Sequence, residues 1–297
     1  MNTTKGFVTL AVGHERYYKL AANLLKSYRL RTKEHYPFAI FADRHNKYTD
    51  LFDKVIIIDK PSFSYNDKLE LLNNPPYTYN IFIDADCLVY GDINSYWDYY
   101  VENSEYRTGV RCFGKSLPLT SLDGWFKIDD IGEYKNSISF IPQMHGGIIF
   151  FTNDHYTERI YQQAQYIAKN YSLYKFKYFD KPADEPILAL CMAINHIKPI
   201  ELNSTESSRA YIFLPAAKAI HIKGQVNYCD AGGNCISNVK LLHWQNSYTQ
   251  TDIYWAEIQR LEGHSELYIL LGQPFIRIYF YLQSLATRII NKFKHIC

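Results

Sequence analysis

The feature that most constrains this chain is an apolar strand that runs directly into two aspartates. Ile81, Phe82 and Ile83 are followed by Asp84 and Asp86, with one alanine between the two acids. Because an unpaired carboxylate is costly to bury, the pattern predicts a buried strand that ends where a cation compensates the acids. On an extended chain, acids two positions apart share one face, so both are predicted to hold a Mg²⁺ or Mn²⁺ ion that also binds phosphate oxygens.

Short apolar runs alternate with helical segments along the chain, which is typical of α/β proteins. Strands are predicted within residues 7–12, 37–41, 54–58, 80–89, 146–151, 218–222 and 239–244. Helices are predicted at residues 17–30, 65–72, 156–170 and 186–194. In such sheets a ligand binds outside the carboxyl ends of the strands. We expect a catalytic domain over residues 1–250, with 104–142 as a substrate-facing insert, and a helical tail over 251–297.

The charge and hydropathy of the chain restrict the classes of partner that it is expected to bind. The 297 residues carry a net charge of only +2, so no global field attracts nucleic acid, and a diphosphate needs local donors or a metal. No apolar run reaches the ~18 residues that a membrane-spanning helix needs. No signal peptide precedes the first strand. These observations predict a cytoplasmic protein that does not bind nucleic acid.

The motif Asp84-Ala85-Asp86, with residues 79–80 before it and 91–93 after it, resembles the signature of GT-A fold glycosyltransferases. Family 8 and related transferases are similar over most of residues 6–246. The resemblance implies a Rossmann-like α/β fold in which helices flank a mixed sheet. It also implies transfer of a sugar from a nucleotide-diphosphate donor, a UDP-sugar, to a hydroxyl of a glycan or lipid-linked acceptor, with Mn²⁺ or Mg²⁺ at the aspartates. The similarity to family 8 implies retention of the anomeric configuration.

The resemblance assigns the first strand and the loop after it to the nucleotide base. The matching residues are Thr9, Ala11, Val12, Gly13, either Tyr17 or Tyr18, and Asp43 after the second strand. Glycine lets the backbone approach a ligand closely, and a tyrosine ring can stack on uracil. The alternative is that the glycine only closes a turn and the tyrosines line the helix.

Lys68 lies in the helix that leads into the aspartate strand. It matches a basic residue that contacts the diphosphate or the first aspartate in the family. The alternative is a solvated lysine, and Asp67 is then the candidate in its place.

Gly146 and Gly147 precede another apolar strand, and His145 or Gln143 stands where relatives have asparagine. Two glycines at a strand start indicate close backbone approach. In the relatives the approaching group is the transferred sugar, so the resemblance implies a sugar-binding loop. The alternative is a bulge without function.

Acidic and histidine candidates complete the predicted site. Asp184 and Glu185 begin a helix, where the resemblance assigns acids to the sugar hydroxyls or to a role as base or nucleophile. An acid at this position also caps the helix, and the two roles are compatible. His243 and His221 compete as the third metal ligand, and His243 is favoured because it ends the last predicted strand. The alternative for each histidine is a satisfied core residue.

The pattern of apolar and charged residues changes over residues 267–297. From Pro274 onward, apolar residues recur at helical spacing at Phe275, Ile278, Tyr279, Leu282, Leu285, Ile289, Ile290 and Phe293. The positive charges in this segment come from Arg277, Arg288, Lys292 and Lys294. A basic amphipathic helix rich in aromatic residues can lie in a membrane interface, which suits a lipid-linked acceptor. The alternatives are a helix docked on its own core or on a second subunit.

Two other functions fit the aspartate motif. One is a catalytically inactive protein that binds a nucleotide-sugar or a glycan. The other is an aspartate-based phosphotransferase, because haloacid-dehalogenase-like phosphatases also end a strand with Asp-x-Asp. That family has Thr or Val where this chain has Leu88, and its motif lies near the N-terminus. The glycosyltransferase is therefore favoured.

Overall fold

The structure is a computed structural model that describes residues 4–102, 108–203, 206, 210–213, 217–218, 220–224, 226–229 and 235–294. The chain divides into two compact units. The first comprises Met1–Leu25, Glu34–Ala85 and Asn94–Ser207, and the second comprises Lys26–Lys33, Asp86–Ile93 and Ser208–Cys297. Asp84 belongs to the first unit and Asp86 to the second.

Strands and helices alternate over the first half of the chain, as the apolar pattern predicts. The strands are β1 (Lys5–Ala11), β2 (Phe38–Ala42), β3 (Lys54–Ile57), β4 (Tyr79–Ile83), β5 (Cys87–Val89), β6 (Val110–Leu117), β7 (Ile141–Thr152), β8 (Ile212–Phe213), β9 (Ala217–Lys218), β10 (Asn227–Cys229), β11 (Cys235–Ile236) and β12 (Leu241–His243). The α-helices are α1 (Glu15–Arg31), α2 (His155–Lys169), α3 (Asp184–Ile194), α4 (Asp252–Leu261) and α5 (Glu266–Lys294).

The main sheet lies in the first unit and has the strand order β3-β2-β1-β4-β7-β6. The first four strands along the chain run parallel, and β7 is antiparallel to both β4 and β6. β2 is buried throughout and wholly apolar, as expected of a strand covered on both faces. Because the carboxyl ends of parallel strands meet at one edge, Gly13, Asp43 and Asp84 follow their strands at the same edge of this sheet.

Helices α2 and α3 cover the antiparallel side of this sheet. The Asp154 carboxylate caps α2 by accepting from two backbone N–H groups of its first turn, both at 3.0 Å. Ile160, Ala164 and Ile167 then form the buried face of α2 at helical spacing. α3 is buried over residues 186–193 and packs against β7 and α2. This packing holds the start of α3 next to the middle of β7.

Two predicted segments differ from the structure in type or extent. Residues 65–72 form a 3-10 helix rather than an α-helix. Ser64 caps this short helix by accepting from Asn66 N–H, and two prolines at 75–76 prevent its continuation. The predicted strand at 218–222 ends at Lys218, and residues 222–223 form a turn.

Two further segments hold more strand than the sequence indicated. β7 begins at Ile141, so Gly146 and Gly147 lie inside the strand rather than at its start. Segment 104–142, which has no clear period in the sequence, contains the edge strand β6. A register shift between Cys112 and Gly114 interrupts the alternation of β6, and this obscures its pattern.

The described residues of the second unit form two three-stranded sheets, the end of α1 and the helices α4 and α5. Their strand orders are β5-β12-β8 and β11-β10-β9. α5 packs on α4, where Gly272 faces the Trp255 ring and Arg277 pairs with Asp252 at 2.7 Å. Other large apolar side chains of α5 are exposed, namely Leu267, Leu270, Leu271, Phe275, Ile278, Tyr279, Tyr281, Leu282 and Leu285. Among the described residues, no helix is both long and apolar enough to span a membrane.

A buried hydroxyl joins β1 to the end of β4, since Thr9 Oγ1 donates to Ile83 O at 2.8 Å. We expect Thr9→Val to lower the free energy of unfolding by about 1 kcal/mol, because the shape is kept but the hydrogen bond is lost. Urea unfolding followed by circular dichroism measures the difference. Thr120→Val, at an exposed position, serves as the control and is expected to change stability by less than about 0.5 kcal/mol. Equal stability of Thr9→Val and wild type contradicts the prediction.

Candidate active site

Lys68 lies between two carboxylates in the first unit. Its ammonium nitrogen is 3.0 Å from Asp84 Oδ1 and 2.9 Å from Asp184 Oδ2. The lysine side chain is 11% exposed and the Asp184 side chain 4%, so water screens this charge pair weakly. The structure therefore brings together three of the residues that the sequence singled out.

Gly146 lies against this group from β7. Its N–H donates to Glu185 Oε1 at 2.6 Å, and its carbonyl accepts from Lys68 Nζ at 3.3 Å. A Cβ at this position would lie 2.8 Å from Asp184 Oδ2 and 2.8 Å from Glu185 Cγ. Only glycine therefore lets the start of α3 approach the strand, and the close approach that the glycine pair indicated is made by these two acids.

The neighbours of Gly146 on β7 have different surroundings. Gly147 O accepts from Asp84 N–H at 3.0 Å, which extends the ladder between β4 and β7. His145 is exposed, and Gln143 Nε2 donates to Asp123 O at 3.4 Å. Gly147 thus helps to position the first aspartate, whereas the side chain of His145 is accessible to a ligand.

Two members of this group, Lys68 and Glu185, have shifted pKa values. Burial acts to lower the pKa of the Lys68 ammonium, but the charges of Asp184 and Asp84 outweigh it and raise that pKa above its ordinary value. Burial raises the pKa of the Glu185 carboxyl to about 7, although the hydrogen bond from Gly146 opposes the rise. The group therefore combines a fixed cation with a carboxyl that exchanges its proton near neutral pH.

A second group follows β1 and β2 in the same unit. Asp43 accepts from Gly13 N–H at 2.9 Å and from the Tyr18 hydroxyl. Arg44 donates to Asp43 Oδ2 at 2.9 Å and to Gly13 O at 2.6 Å. Gly13 has φ +77°, a left-handed conformation that favours glycine. Burial acts to raise the pKa of Asp43, but the hydrogen bonds from Tyr18 and Gly13 outweigh burial and hold this pKa below its usual range.

The other residues predicted at the nucleotide base are divided between interior and surface. Thr9 and Ala11 are buried inside β1, and Val12 is partly buried. Tyr17 is half exposed, and its neighbour Tyr18 is the tyrosine that contacts the aspartate. The buried residues therefore shape the strand, while the Tyr17 ring is accessible to a ligand.

Asp86 and His243 meet in the second unit. His243 Nε2 is 2.9 Å from Asp86 Oδ1, and its Nδ1 contacts the Tyr211 hydroxyl. Cys87 belongs to the same group, because one ligand atom from each of Asp86, Cys87 and His243 lies within 4.8 Å of the others. The imidazole is therefore held at both ring nitrogens beside a carboxylate.

Strand register explains why this histidine reaches the aspartate. β12 is antiparallel to β5, so His243 pairs with Cys87, and the next residue, Trp244, donates its N–H to Asp86 O at 2.9 Å. His221 instead lies outside the strands, with its Nε2 3.2 Å from Glu266 Oε1. Within the described part of the chain, His221 is not a member of the group around Asp86.

The chain turns between the two aspartates. Asp84 follows β4, and Ala85 and Asp86 form a turn before β5, so the extended geometry expected from the sequence is wrong. The physical reason is that the chain leaves the main sheet after β4 and enters a different sheet at β5. The acids have separate partners, Lys68 and His243. That both acids bind one ion stays a prediction.

Sequence reasoning missed several members of these groups. Arg44 directly follows Asp43, and Cys87 directly follows Asp86, so adjacency was the only available signal. Tyr211 carries no sequence signal, because it reaches His243 only through the pairing of β8 with β12.

The donor set around Asp86 fits a divalent cation. A carboxylate oxygen and an imidazole nitrogen are ligands that Mn²⁺ accepts, whereas Mg²⁺ prefers oxygen alone. His243 is oriented by Tyr211 on the ring nitrogen away from Asp86, as is usual for metal-binding histidines. The carboxylate of Asp86 and the imidazole of His243 would therefore suit Mn²⁺ better than Mg²⁺, and Cys87 adds a thiol to the same group.

The raised pKa of Glu185 gives a pH-dependent stability. In the unfolded chain the carboxyl releases its proton near the ordinary pKa of 4.5, and in the folded protein near 7, so rising pH through this window favours unfolding. We expect Glu185→Gln to be more stable than wild type by up to about 3 kcal/mol at pH 8, and to lose this advantage below about pH 4.5.

Urea unfolding at a series of pH values measures this difference. Glu158→Gln, at an exposed site on α2, is the control and is expected to show the same pH profile as wild type. A stability difference between Glu185→Gln and wild type that is constant from pH 4.5 to 8 contradicts the prediction.

Comparison with known proteins supports the fold. No protein-family model matches the chain, and no curated protein matches its sequence. The structure is similar to the crystal structure of an active-site mutant of LgtC, with a TM-score of 0.51 and 12% identity, over 81% of this chain and 87% of that one. LgtC has the GT-A glycosyltransferase fold. The predicted fold class, a GT-A mixed α/β sheet flanked by helices, is therefore confirmed.

Proposed function

We propose that this chain is a metal-dependent glycosyltransferase that uses a UDP-sugar. The observation that carries the proposal is the contact between Asp86 and His243. In the sequence, Asp86 closely follows β4, the fourth strand of the chain, in a fold similar to that of LgtC. Resemblance of the motif to family 8 agrees with this assignment. Retention of the anomeric configuration is part of the same proposal.

Asp86 and His243 would hold the divalent cation in the second unit, with Asp84 as a further ligand two positions earlier in the chain. When bound, such an ion neutralises charge that develops on a diphosphate leaving group. His221 is not needed for this role, since it contacts Glu266 instead.

The group around Lys68 would bind the sugar. Lys68 pairs with Asp184 at the start of α3 and orients its carboxylate, which can accept hydrogen bonds from sugar hydroxyls. Glu185, whose pKa is raised to about 7 by burial, is the candidate for proton exchange with the reacting hydroxyl. The start of α3 packs closely against Gly146 on β7, and the exposed His145 supplies a polar side chain.

The group around Asp43 would bind the nucleoside. Asp43 is ionised, and Gly13 and Arg44 fix its position. A carboxylate can accept from ribose hydroxyls or from the imide N–H of uracil. The accessible Tyr17 ring offers a stacking surface for the base.

The metal assignment is tested by Mn²⁺-dependent UDP binding and by UDP release from UDP-glucose and UDP-galactose. We expect Asp86→Ala and His243→Ala each to weaken both by on the order of 100-fold, because each removes a ligand. His221→Ala is the matched control and is expected to behave like wild type. If His243→Ala binds UDP and turns over donor as wild type does, the proposal is wrong.

The same measurements separate the other candidate functions. Mn²⁺-dependent UDP binding without any release from UDP-hexoses identifies an inactive nucleotide-sugar-binding protein. A phosphorylated aspartate detected by mass spectrometry identifies a phosphotransferase. Neither result is expected.

The exposed face of α5 suggests where a lipid-linked acceptor would be met. This face carries the apolar side chains of Leu271, Phe275, Ile278 and Leu282, while residues 267–297 contain basic residues and no acid. Apolar burial and attraction to anionic lipid would act together there. Peripheral membrane contact is therefore part of the proposed function.

Sedimentation with vesicles tests this contact. We expect the protein to bind vesicles containing phosphatidylglycerol more strongly than vesicles of phosphatidylcholine alone. Leu282→Glu is expected to reduce binding to the anionic vesicles by at least about tenfold, because it places a charge on the apolar face. Ser284→Glu introduces the same charge elsewhere on α5 and is the control. Equal binding by the two variants contradicts membrane insertion of this face.

A further inference from the structure

An aromatic platform lies on the surface of the first unit, formed by Tyr65, Trp125, Tyr178 and Phe179. Tyr65 and Tyr178 are 63% and 85% exposed. Trp125 links the other rings, with its centroid 6.1 Å from that of Tyr178 and 5.8 Å from that of Phe179, and Phe179 lies 5.9 Å from Tyr65. These rings therefore form one continuous surface rather than scattered exposed side chains.

The backbone holds Tyr178 outward. Tyr178 has φ +68°, a left-handed conformation that is uncommon for residues other than glycine. On its N-terminal side, Lys177 N–H donates to Trp125 O at 2.8 Å, and Lys177 Nζ donates to Leu122 O. Folding alone gains little from a ring that is so exposed, which makes an external partner the natural reason for this arrangement.

The platform is continuous with the group around Lys68. Tyr65 lies three positions before Lys68 in the same 3-10 helix. Trp125 Nε1 donates to Met144 O at 3.3 Å, two residues before Gly146 on β7. Phe179 precedes the start of α3 in the segment that leads to Asp184. The 3-10 helix that carries Lys68 therefore also carries Tyr65 of the platform, β7 contacts Trp125 through its backbone, and the segment before α3 carries Phe179.

The charges around the platform favour a neutral ligand. Asp123 and Asp180 are exposed next to the rings in sequence, and Lys177 and Lys181 supply the opposite charge. An anionic ligand would meet both signs equally, and a wholly apolar partner would bury these polar groups without compensation. A sugar ring combines an apolar C–H face, which packs on an aromatic ring, with hydroxyls that reach polar groups at the edge.

We propose that the aromatic platform binds a neutral hexose ring of the acceptor glycan, with Tyr178 as the principal stacking residue. This inference rests on the proposed glycosyltransferase function, and it places the acceptor next to the carboxylates at the start of α3. The platform then determines which glycans are accepted, while the donor is recognised by other residues.

Binding of the full chain to an array of neutral oligosaccharides, in the presence of Mn²⁺ and UDP, tests the platform. We expect wild type to bind at least one hexose-containing glycan, and Tyr178→Ala to bind the same glycan at least about tenfold more weakly, because stacking on one aromatic ring is worth that much. Tyr178→Phe keeps the ring and is expected to retain binding. Tyr166→Ala removes a tyrosine that is 48% exposed on α2, outside the platform, and is the matched control.

The outcomes separate this inference from the proposed function. Equal glycan binding by Tyr178→Ala and wild type overturns the platform, as does the absence of any glycan binding by a wild-type protein that releases UDP from UDP-hexoses. Loss of glycan binding in Tyr178→Ala, with no UDP release by wild type, supports the platform and contradicts the proposed glycosyltransferase function.

Discussion

The buried contact of Lys68 with two carboxylates is the interaction on which the rest of the first unit depends. It ties the end of β4, through Asp84, to the start of α3, through Asp184. Removing one member of such a buried group leaves an uncompensated charge, which typically costs about 3–5 kcal/mol. Lys68 also donates to Gly146 O, so strand, helix and 3-10 helix are fixed relative to one ammonium group within this unit.

The same contact changes how the two acids of the motif should be understood. Acids at the end of an apolar strand need a cation to compensate their charge. For Asp84 the protein already supplies that cation as Lys68, while Asp86 faces an imidazole in the second unit. The case for a metal therefore depends more on Asp86 and His243 than on the first aspartate. An acid that has its own lysine can exchange partners when a ligand binds, since neither ion need be left unpaired.

The sequence predicts the parallel strands and the acids at their ends well, because these depend on local apolar runs and on a general property of α/β sheets. The sequence favoured His243 over His221 only because His243 ends the last predicted strand. Its contact with Asp86 depends on the register of β12 against β5, two strands far apart in the chain. The helix at 65–72 was predicted, but its 3-10 type and the early start of β7 were not, because both depend on tertiary packing rather than on period. The aromatic platform could not be predicted from the sequence, because it also depends on tertiary packing.

Adjacent carboxyl groups at the start of α3 have different surroundings. Asp184 contacts the ammonium of Lys68, whereas Glu185 accepts only a backbone N–H and shares its surroundings with other carboxylates. Three acids lie near one cation, and Glu185 has the weakest partner of the three. Burial and repulsion from the other carboxylates therefore raise the pKa of Glu185 to about 7. One turn of helix thus presents a carboxylate paired with an ammonium group and a titratable carboxyl side by side. Neighbouring carboxyls whose surroundings differ in this way are suited to acid–base chemistry.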